Sequence, residues 1–465
     1  MSLFDDFEGA THQEWHDRII KDLKGKDFNE NLVWKSEEGI EVQPFYTVEN
    51  LKNNKSKAFN LKNESTAWEN RFVIKINTIT EANKKALYVL SRGVNSIQFV
   101  GNISSQEEFN LLLKDIDVSI IHVHFYNSKP NQTATFFSTY LLKNKIDLVN
   151  SNYSISFDYI NNFLTNGNWI IDEQKDLEEL FLLQKNSIPF KTITVNGLAL
   201  NNAGATIIQE LAYSFSQAVE YINFLTDKGL KINDIVPKIT FNFGIGSNYF
   251  FEIAKIRAAK ILWKIILDEY QANETSIYIN STTTITNFSC FDQHNNILRT
   301  TTEAMSAIVG GANSVSILPF DTAFENTTNF SERIAINIQH ILKEETFLDK
   351  VADISNGAYY IESLTDEMVE KALSLFKEIE QNGGFLVNIK NETIQDAIHQ
   401  AAQHQQELFT EGKKTLLGVN KHQNKTLPNL SLNETKTTNK ITQSKVLQQI
   451  RYSEKIEKKI VSEKE

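Results

Sequence analysis

The stretch KITFNFGIGSNYFFEIAKIRAAKILWKII, residues 238–266, decides the fold. Its first six residues alternate, with Lys238, Thr240 and Asn242 on one face and Ile239, Phe241 and Phe243 on the other. A period of two marks a strand. Gly244 and Gly246 break the alternation, and from Asn248 to residue 266 the apolar residues recur at helical spacing. The same strand-then-helix unit repeats outward in both directions. β-rich runs fall at residues 71–77, 96–100, 119–126, 154–159, 191–196, 276–283 and 314–318. Helical stretches follow, clearest at 81–91, 106–113, 203–225, 297–309 and 332–343. Eight such units predict an α/β fold, a closed parallel (β/α)8 TIM barrel. An open doubly wound sheet is the alternative; the lack of a long polar break favours closure.

The faces of these strands are unusual. Parallel strands covered on both sides read as near-continuous apolar runs. Here one face of nearly every strand is polar: Arg71, Lys75 and Asn77; Ser96 and Gln98; His122 and His124; Ser154, Ser156 and Asp158; Thr192, Thr194 and Asn196; Lys238, Thr240 and Asn242; Asn280 and Thr282; Ser314 and Ser316. Helices surround a barrel from outside, so the apolar face meets them and the polar set lines the bore. Ordinary barrels fill that bore with Val, Ile and Leu. A polar bore has to be wet, occupied, or closed by its own hydrogen bonds, since each unsatisfied buried polar group costs about 1–3 kcal/mol. We expect Arg71, Lys75, His122, His124 and Lys238 to close it, bonding one another and Asp158, Asn196 and Asn242. An antiparallel sheet with one solvated face would give the same alternation, but the intervening helices disfavour it.

Outside the barrel the chain changes character. Residues 1–66 read as an N-terminal arm and lead-in, 67–385 as the barrel, and 386–465 as a C-terminal helical extension. The arm carries Phe4, Phe7, Trp15, Ile19, Leu23, Phe28, Leu32 and Trp34, too much apolar surface to leave solvated. It packs either on a partner or back across its own barrel. Residues 421–442 are polar and low in complexity, and 443–461 place Val446, Leu447, Ile450, Ile456 and Ile460 at helical spacing.

Composition removes several function classes. Hydrophobic residues make up 41% of the 465, with 30 Phe, so the chain can build a full core. The charge sum, 47 − 58 = −11, disfavours a nucleic-acid partner. A lone cysteine, Cys290, allows no internal disulfide and no thiolate metal cage. No basic-then-apolar leader and no apolar run of about 20 residues is present, so a cytoplasmic protein without a membrane partner is expected.

Motifs for chemistry are sparse. His122-x-His124 puts two imidazoles on one strand face, yet no further His or carboxylate cluster completes a metal site. Gly244-x-Gly246 could offer free N–H groups to an anion, but lacks the third glycine of a dinucleotide fingerprint. Asp292-Gln293-His294 reads as a turn with Asp292 as a natural helix cap.

Four blocks carry a resemblance: NGLALNNAGATIIQELAYSFSQAVEYI (196–222), FNFGIGSNYFFEIAKIRAAKILW (241–263), DQHNNILRTTTEAMSAIVGGANSV (292–315) and NGAYYIESLTDEMVEKALSLFKEIEQNGGF (356–385). LLGVN (416–420) and LVWKSEEGIEVQPFY (32–46) add to them. Together they resemble the adenosylcobalamin-dependent methylmalonyl-CoA mutases, particularly their small, or beta, subunit. The resemblance implies a barrel whose axis admits coenzyme A, and here Thr194, Asn196, Lys238, Thr240, Asn242 and Thr282 would line that channel. Departures from the family pattern are concentrated where its catalytic subunits act. Their SGYHxQEAGA, whose His contacts the thioester carbonyl, becomes NGLALNNAGA, with Ala199 at the His position. Alanine cannot polarise a carbonyl. The PRxS motif becomes Pro237-Lys238-Ile239-Thr240, and QTSGW becomes Thr282-Thr283-Thr284-Ile285-Thr286. The Tyr- and Arg-rich segment before the first strand is replaced by Asn/Lys-rich residues 50–66. No D-x-H-x-x-G occurs, since Asp292-x-His294 has Ile297 at the glycine position, so no cobalamin-binding domain is expected.

The resemblance with these departures implies the small, non-catalytic subunit of a heteromeric mutase interconverting methylmalonyl-CoA and succinyl-CoA. This chain would hold no catalytic residue, cofactor or metal. Adenosylcobalamin would sit on a large catalytic partner in a heterodimer, and acyl-CoA would bind here weakly or not at all. Two alternatives stay open: an active acyl-CoA mutase barrel paired with a separate cobalamin-binding subunit, or a stand-alone acyl-CoA-binding regulatory barrel.

Overall fold

A computed structural model describes residues 9–51, 66–146, 153–186, 190–273, 276–323, 327–423 and 442–462. The strands are β1 (Glu69–Lys75), β2 (Ser96–Val100), β3 (His122–Tyr126), β4 (Ser154–Ser156), β5 (Ile193–Val195), β6 (Ile239–Ile245), β7 (Tyr278–Thr283) and β8 (Ser314–Ser316). They form one sheet in the order β4-β3-β2-β1-β8-β7-β6-β5, every neighbour parallel. A single bridge, Ser154 to Lys191, joins the two ends: Ile155 N–H donates to Lys191 O at 2.9 Å and Lys191 N–H to Tyr153 O at 3.0 Å. The barrel is closed.

Alternation along each strand sorts the side chains as the sequence requires. Ile74, Ile97, Phe99, Val123, Ile155, Ile193, Phe241, Ile279 and Val315 point outward and are buried under the helices. Those helices are α1 (Ile79–Leu90), α2 (Gln106–Leu112), α3 (Pro130–Lys143), α4 (Tyr159–Asn166), α5 (Glu173–Lys185), α6 (Gly197–Asn202), α7 (Ile207–Asp227), α8 (Tyr249–Glu269), α9 (Asn295–Gly310) and α10 (Asn329–His340). Behind them follow α11 (Tyr359–Gln381), α12 (Gly384–Lys390), α13 (Thr393–Thr410) and α14 (Glu454–Ser462). None of the described helices is long and apolar enough to cross a membrane.

Three boundaries differ from the sequence reading, each for a local reason. β4 stops at Ser156 because Asp158 leaves the strand to cap α4, accepting from Asn161 N–H at 3.0 Å. The helix expected over 203–225 begins only at Ile207, as α7, after the separate short α6; the break holds Gly204, whose φ of +96° no L side chain adopts easily. A Cβ there would also meet Ala402 Cβ at 2.6 Å. Asp292 is not a cap: His294 holds the N-cap position of α9, and Asp292 sits in the left-handed region at φ 47°.

The arm divides into two parts. Helices His12–Asp22 and Phe28–Leu32 bury no residue. Trp15 instead pairs with Phe45 at 5.2 Å and lies edge-on to Phe28 at 6.5 Å. Residues 33–51 are anchored: Ile40 is fully buried, and the Glu38 carboxylate accepts from Ile207 and Ile208 N–H at 2.9 Å each, capping α7. Phe4 and Phe7 lie outside the described residues, as does most of the Asn/Lys-rich stretch at 50–66.

Residues 443–453 are extended rather than helical. Their N–H groups serve the loops at the C-terminal end of the barrel: Gln443 to Gly167 O, Leu447 to Leu164 O, Ile450 to Asn202 O and Tyr452 to Thr286 O, at 2.8–3.0 Å. Such external acceptors replace the i−4 carbonyls that a helix would need. At the end of this strap the buried Glu457 of α14 accepts from Ser289 Oγ at 3.0 Å and Cys290 N–H at 2.9 Å. The strap stitches together the loops that follow β4, β5 and β7.

Candidate functional site

The bore is closed at one level by four side chains. Arg71 on β1 is buried, with its Nη2 2.8 Å from His124 Nε2, 2.8 Å from Tyr278 Oη and 3.0 Å from Glu69 Oε2. Its Nε reaches Ser96 Oγ at 3.4 Å. His124 lies on β3 and Tyr278 on β7, four strands apart in either direction around the ring, so they stand on opposite walls. Arg71 therefore spans the whole bore. Ser96 Oγ donates to Glu69 Oε2 at 2.8 Å, Ser154 Oγ lies 2.8 Å from His124 Nδ1, and Tyr278 donates to Glu69 Oε1.

The charge states of this plug follow from its burial. Burial alone would raise the Glu69 carboxyl, but Arg71 and the two histidines outweigh it and hold Glu69 well below the usual carboxylate range. Burial, then the neighbouring Arg71, pushes His124 down to about 4, so its ring is neutral at pH 7. Burial also drives the Tyr278 hydroxyl well above its usual range. The plug is a neutral ring around one ion pair.

Beyond the plug, toward the C-terminal ends of the strands, lies a polar cavity of about 90 Å³. Thr194, Asn196, Thr240 and Asn242 line it, together with Gln98, Ser156 and Asn280. Its wall is a hydrogen-bonded ladder: Asn242 donates to Asn196 Oδ1 at 2.9 Å, Asn280 and Thr282 donate to Asn242 Oδ1 at 2.7 and 3.0 Å, and Ser156, Thr194 and Thr240 follow one another at 2.7 and 3.0 Å. Thr282 is buried behind that ladder. Lys238 stands apart, on a single turn before β6, where burial lowers its pKa and Asp234 partly opposes this. Lys75 is exposed at the end of β1.

Other residues expected at the bore also lie elsewhere. Asp158 faces away from it, accepting from Gln217 Nε2 at 2.6 Å, Tyr221 Oη at 2.7 Å and Asn196 N–H at 2.9 Å. Burial nevertheless lifts its pKa to about 6. Ala199 lies half-buried within α6. No group of three His, Cys, Asp or Glu side chains able to hold a metal is found among the described residues.

The Gly244-x-Gly246 turn is filled by the protein itself. Glu210 Oε1 accepts from Gly244 N–H at 2.7 Å, and Glu252 Oε1 from Gly246 N–H at 2.9 Å. A Cβ on Gly244 would meet Asn201 Cγ at 2.5 Å, which is why glycine stands there. Lys255, wholly buried, pairs with Glu210 at 2.9 Å and Glu252 at 2.6 Å and also donates to Gly244 O. Glu303 on α9 completes the group, held only by Asn287 Nδ2 at 3.3 Å, with its Oε2 unpartnered among the described residues.

Sequence reasoning missed Glu69, Tyr278 and this acidic cluster. For the first two a signal existed: stepping back by two from Arg71 and from Asn280 reaches them. The cluster had none, because its members come from three helices.

The family pattern described as methylmalonyl-CoA mutase matches residues 99–462. The chain belongs to the methylmalonyl-CoA mutase family. It is 36% identical to the methylmalonyl-CoA mutase small subunit of Porphyromonas gingivalis, over 91% of this chain and 71% of that one. It is 39% identical to the Rhizobium meliloti methylmalonyl-CoA mutase over 50% of this chain and 33% of that one. The human mitochondrial enzyme is 26% identical over 89% of this chain, which spans 60% of its length.

Proposed function

We propose that this chain is the small, non-catalytic subunit of a heteromeric methylmalonyl-CoA mutase, whose large partner carries adenosylcobalamin and performs the isomerisation of methylmalonyl-CoA and succinyl-CoA. One observation carries the reading: Arg71 bridges His124 and Tyr278 across the bore through which an acyl-CoA would have to pass. Three further features support it. Ala199 can neither donate a hydrogen bond nor polarise a thioester carbonyl. The residues that could imitate a cobalt ligand do not fit one, since the His294 ring packs on Phe320 at 5.2 Å and Asp292 abuts Gly418. The match to a relative named as a small subunit covers most of the chain.

Titrating the purified chain with adenosylcobalamin and with succinyl-CoA tests this reading. We expect no stoichiometric cobalamin spectrum, no turnover and no calorimetric acyl-CoA binding. Ala199→His should restore none of these, because groups of an active site act non-additively. Tight cobalamin or acyl-CoA binding by this chain alone would overturn the proposal.

The unburied helices at 12–32 are read as the contact with the large subunit. Deleting residues 1–32 should abolish copurification of a cobalamin-carrying mutase chain while leaving the melting temperature of this chain unchanged. A fall of several degrees would place those helices in the subunit's own core.

A further inference from the structure

The cavity on the C-terminal side of the plug has chemistry of its own. By the usual allowance of about 10–15 Å³ per water in such a cavity, its volume holds on the order of six waters or one small molecule. Its lining is mainly hydroxyl and amide, beside His124, Phe125 and Phe241, with Arg71 the one permanently charged side chain among the lining residues. One charged group there keeps an edge that the plug does not use. Arg71, 7% exposed, uses Nε and Nη2 in the plug, and none of its contacts there uses Nη1. The site thus offers a guanidinium edge to an acceptor.

Local charge selects the sign of the occupant. Arg71 reaches the cavity, whereas its partner Glu69 is not among the lining residues and Asp158 lies behind the wall, accepting from Asn196 N–H at 2.9 Å. His124 is neutral, as its lowered pKa requires, and His122 lies 3.9 Å from Glu69 on the same side. An anion in the cavity therefore meets the partly buried guanidinium directly, where it is stabilised far more than in water.

We propose that this cavity binds a small carboxylate, held on the free edge of the Arg71 guanidinium. The ligand enters from the C-terminal mouth, where Asn196, Asn242 and Gln98 are partly exposed, and stops at the plug. It never needs the axial passage, so the assignment does not depend on the subunit reading. A failure of that reading would appear as acyl-CoA binding, a separate titration.

The test is calorimetric titration of the full chain with lactate, using propionamide as a neutral molecule of similar size. Saturable binding of lactate, about tenfold or more tighter than propionamide, is expected. Gln98→Glu places a carboxylate on the cavity wall without removing any hydrogen bond of the plug; it should weaken lactate by about tenfold or more at an unchanged melting temperature. Should that variant misfold, the paired change Glu69→Gln with Arg71→Gln removes both charges together and should abolish the preference for lactate over propionamide. Lactate binding no better than propionamide, or surviving intact in these variants, overturns the assignment.

Discussion

Lys255→Met should lower the stability of this chain by about 3–5 kcal/mol, the scale for breaking a wholly buried ion pair by removing one partner. Lys255 and Glu210 are both at 0% side-chain exposure, and Glu252 at 3%. Burial would by itself discharge Lys255, yet Glu210 and Glu252 outweigh it and keep the ammonium in place with a raised pKa. Take the ammonium away and two carboxylates, already committed to the N–H groups of Gly244 and Gly246, face each other without a counter-charge. The loss should be read from urea unfolding of the full chain. Adding Glu210→Gln to Lys255→Met should recover part of it, because one uncompensated charge disappears. A loss below about 1 kcal/mol would show that water reaches the cluster and screens it.

Glu303→Gln should act in the opposite direction. Burial pushes the Glu303 carboxyl up to about 8, with nearby Glu252 adding to the rise and Asn287, Arg299 and Lys255 opposing it. The same cluster holds Glu210 at about 7, again because of burial. An unfolded glutamate ionises near 4.3, so between that pH and about 8 the folded chain holds a proton that the unfolded chain has released. Stability contributed by protonated Glu303 is therefore complete in acid and drains away as pH rises, levelling off above about 8. A glutamine keeps the shape and the Asn287 neighbour but has no proton to lose. Near pH 7.5 the variant should exceed the parent by about 2–4 kcal/mol, and the difference should vanish toward pH 4. Parallel unfolding curves at acid and alkaline pH decide it; a difference independent of pH would mean that Glu303 does not titrate in this window.

Which of these features the chain declares in advance depends on how local they are. The bore lining was legible because a strand sorts its residues by parity alone, and Ser96, Ser156, Thr194, Thr240 and Asn280 obey it. Lys238 obeys the same parity yet misses the cavity, since Pro237 holds it on a turn before β6 begins. Lys75 fails at the other end, where β1 has already reached solvent. Glu69 escaped because it lies before the run read at 71–77, and strand starts are the least certain positions in a periodic reading; Tyr278 lay inside the run read at 276–283, with the parity of Asn280, but was not counted with the polar face. The acidic cluster joins α7, α8 and α9, and only the closed ring brings those faces together. The strap illustrates a different limit. Val446, Leu447 and Ile450 have helical spacing, but neighbouring carbonyls at Leu164, Asn202 and Thr286 take the bonds that a helix would use.

That strap also fixes the order in which the molecule can be completed on the ribosome. Ile450 ties to Asn202, and Ser453 and Glu457 tie to the 288–290 loop, so these contacts close loops of well over a hundred residues. The emerging chain can pair all eight strands and cover them with helices before residues 443–457 have left the exit tunnel. Until then the mouth of the barrel is unfinished, with the main-chain acceptors of three loops turned to water. A translating chain consequently passes through a long interval with a formed barrel and an unsealed rim. During that interval a chaperone or a partner subunit can reach main-chain groups that the released protein keeps to itself.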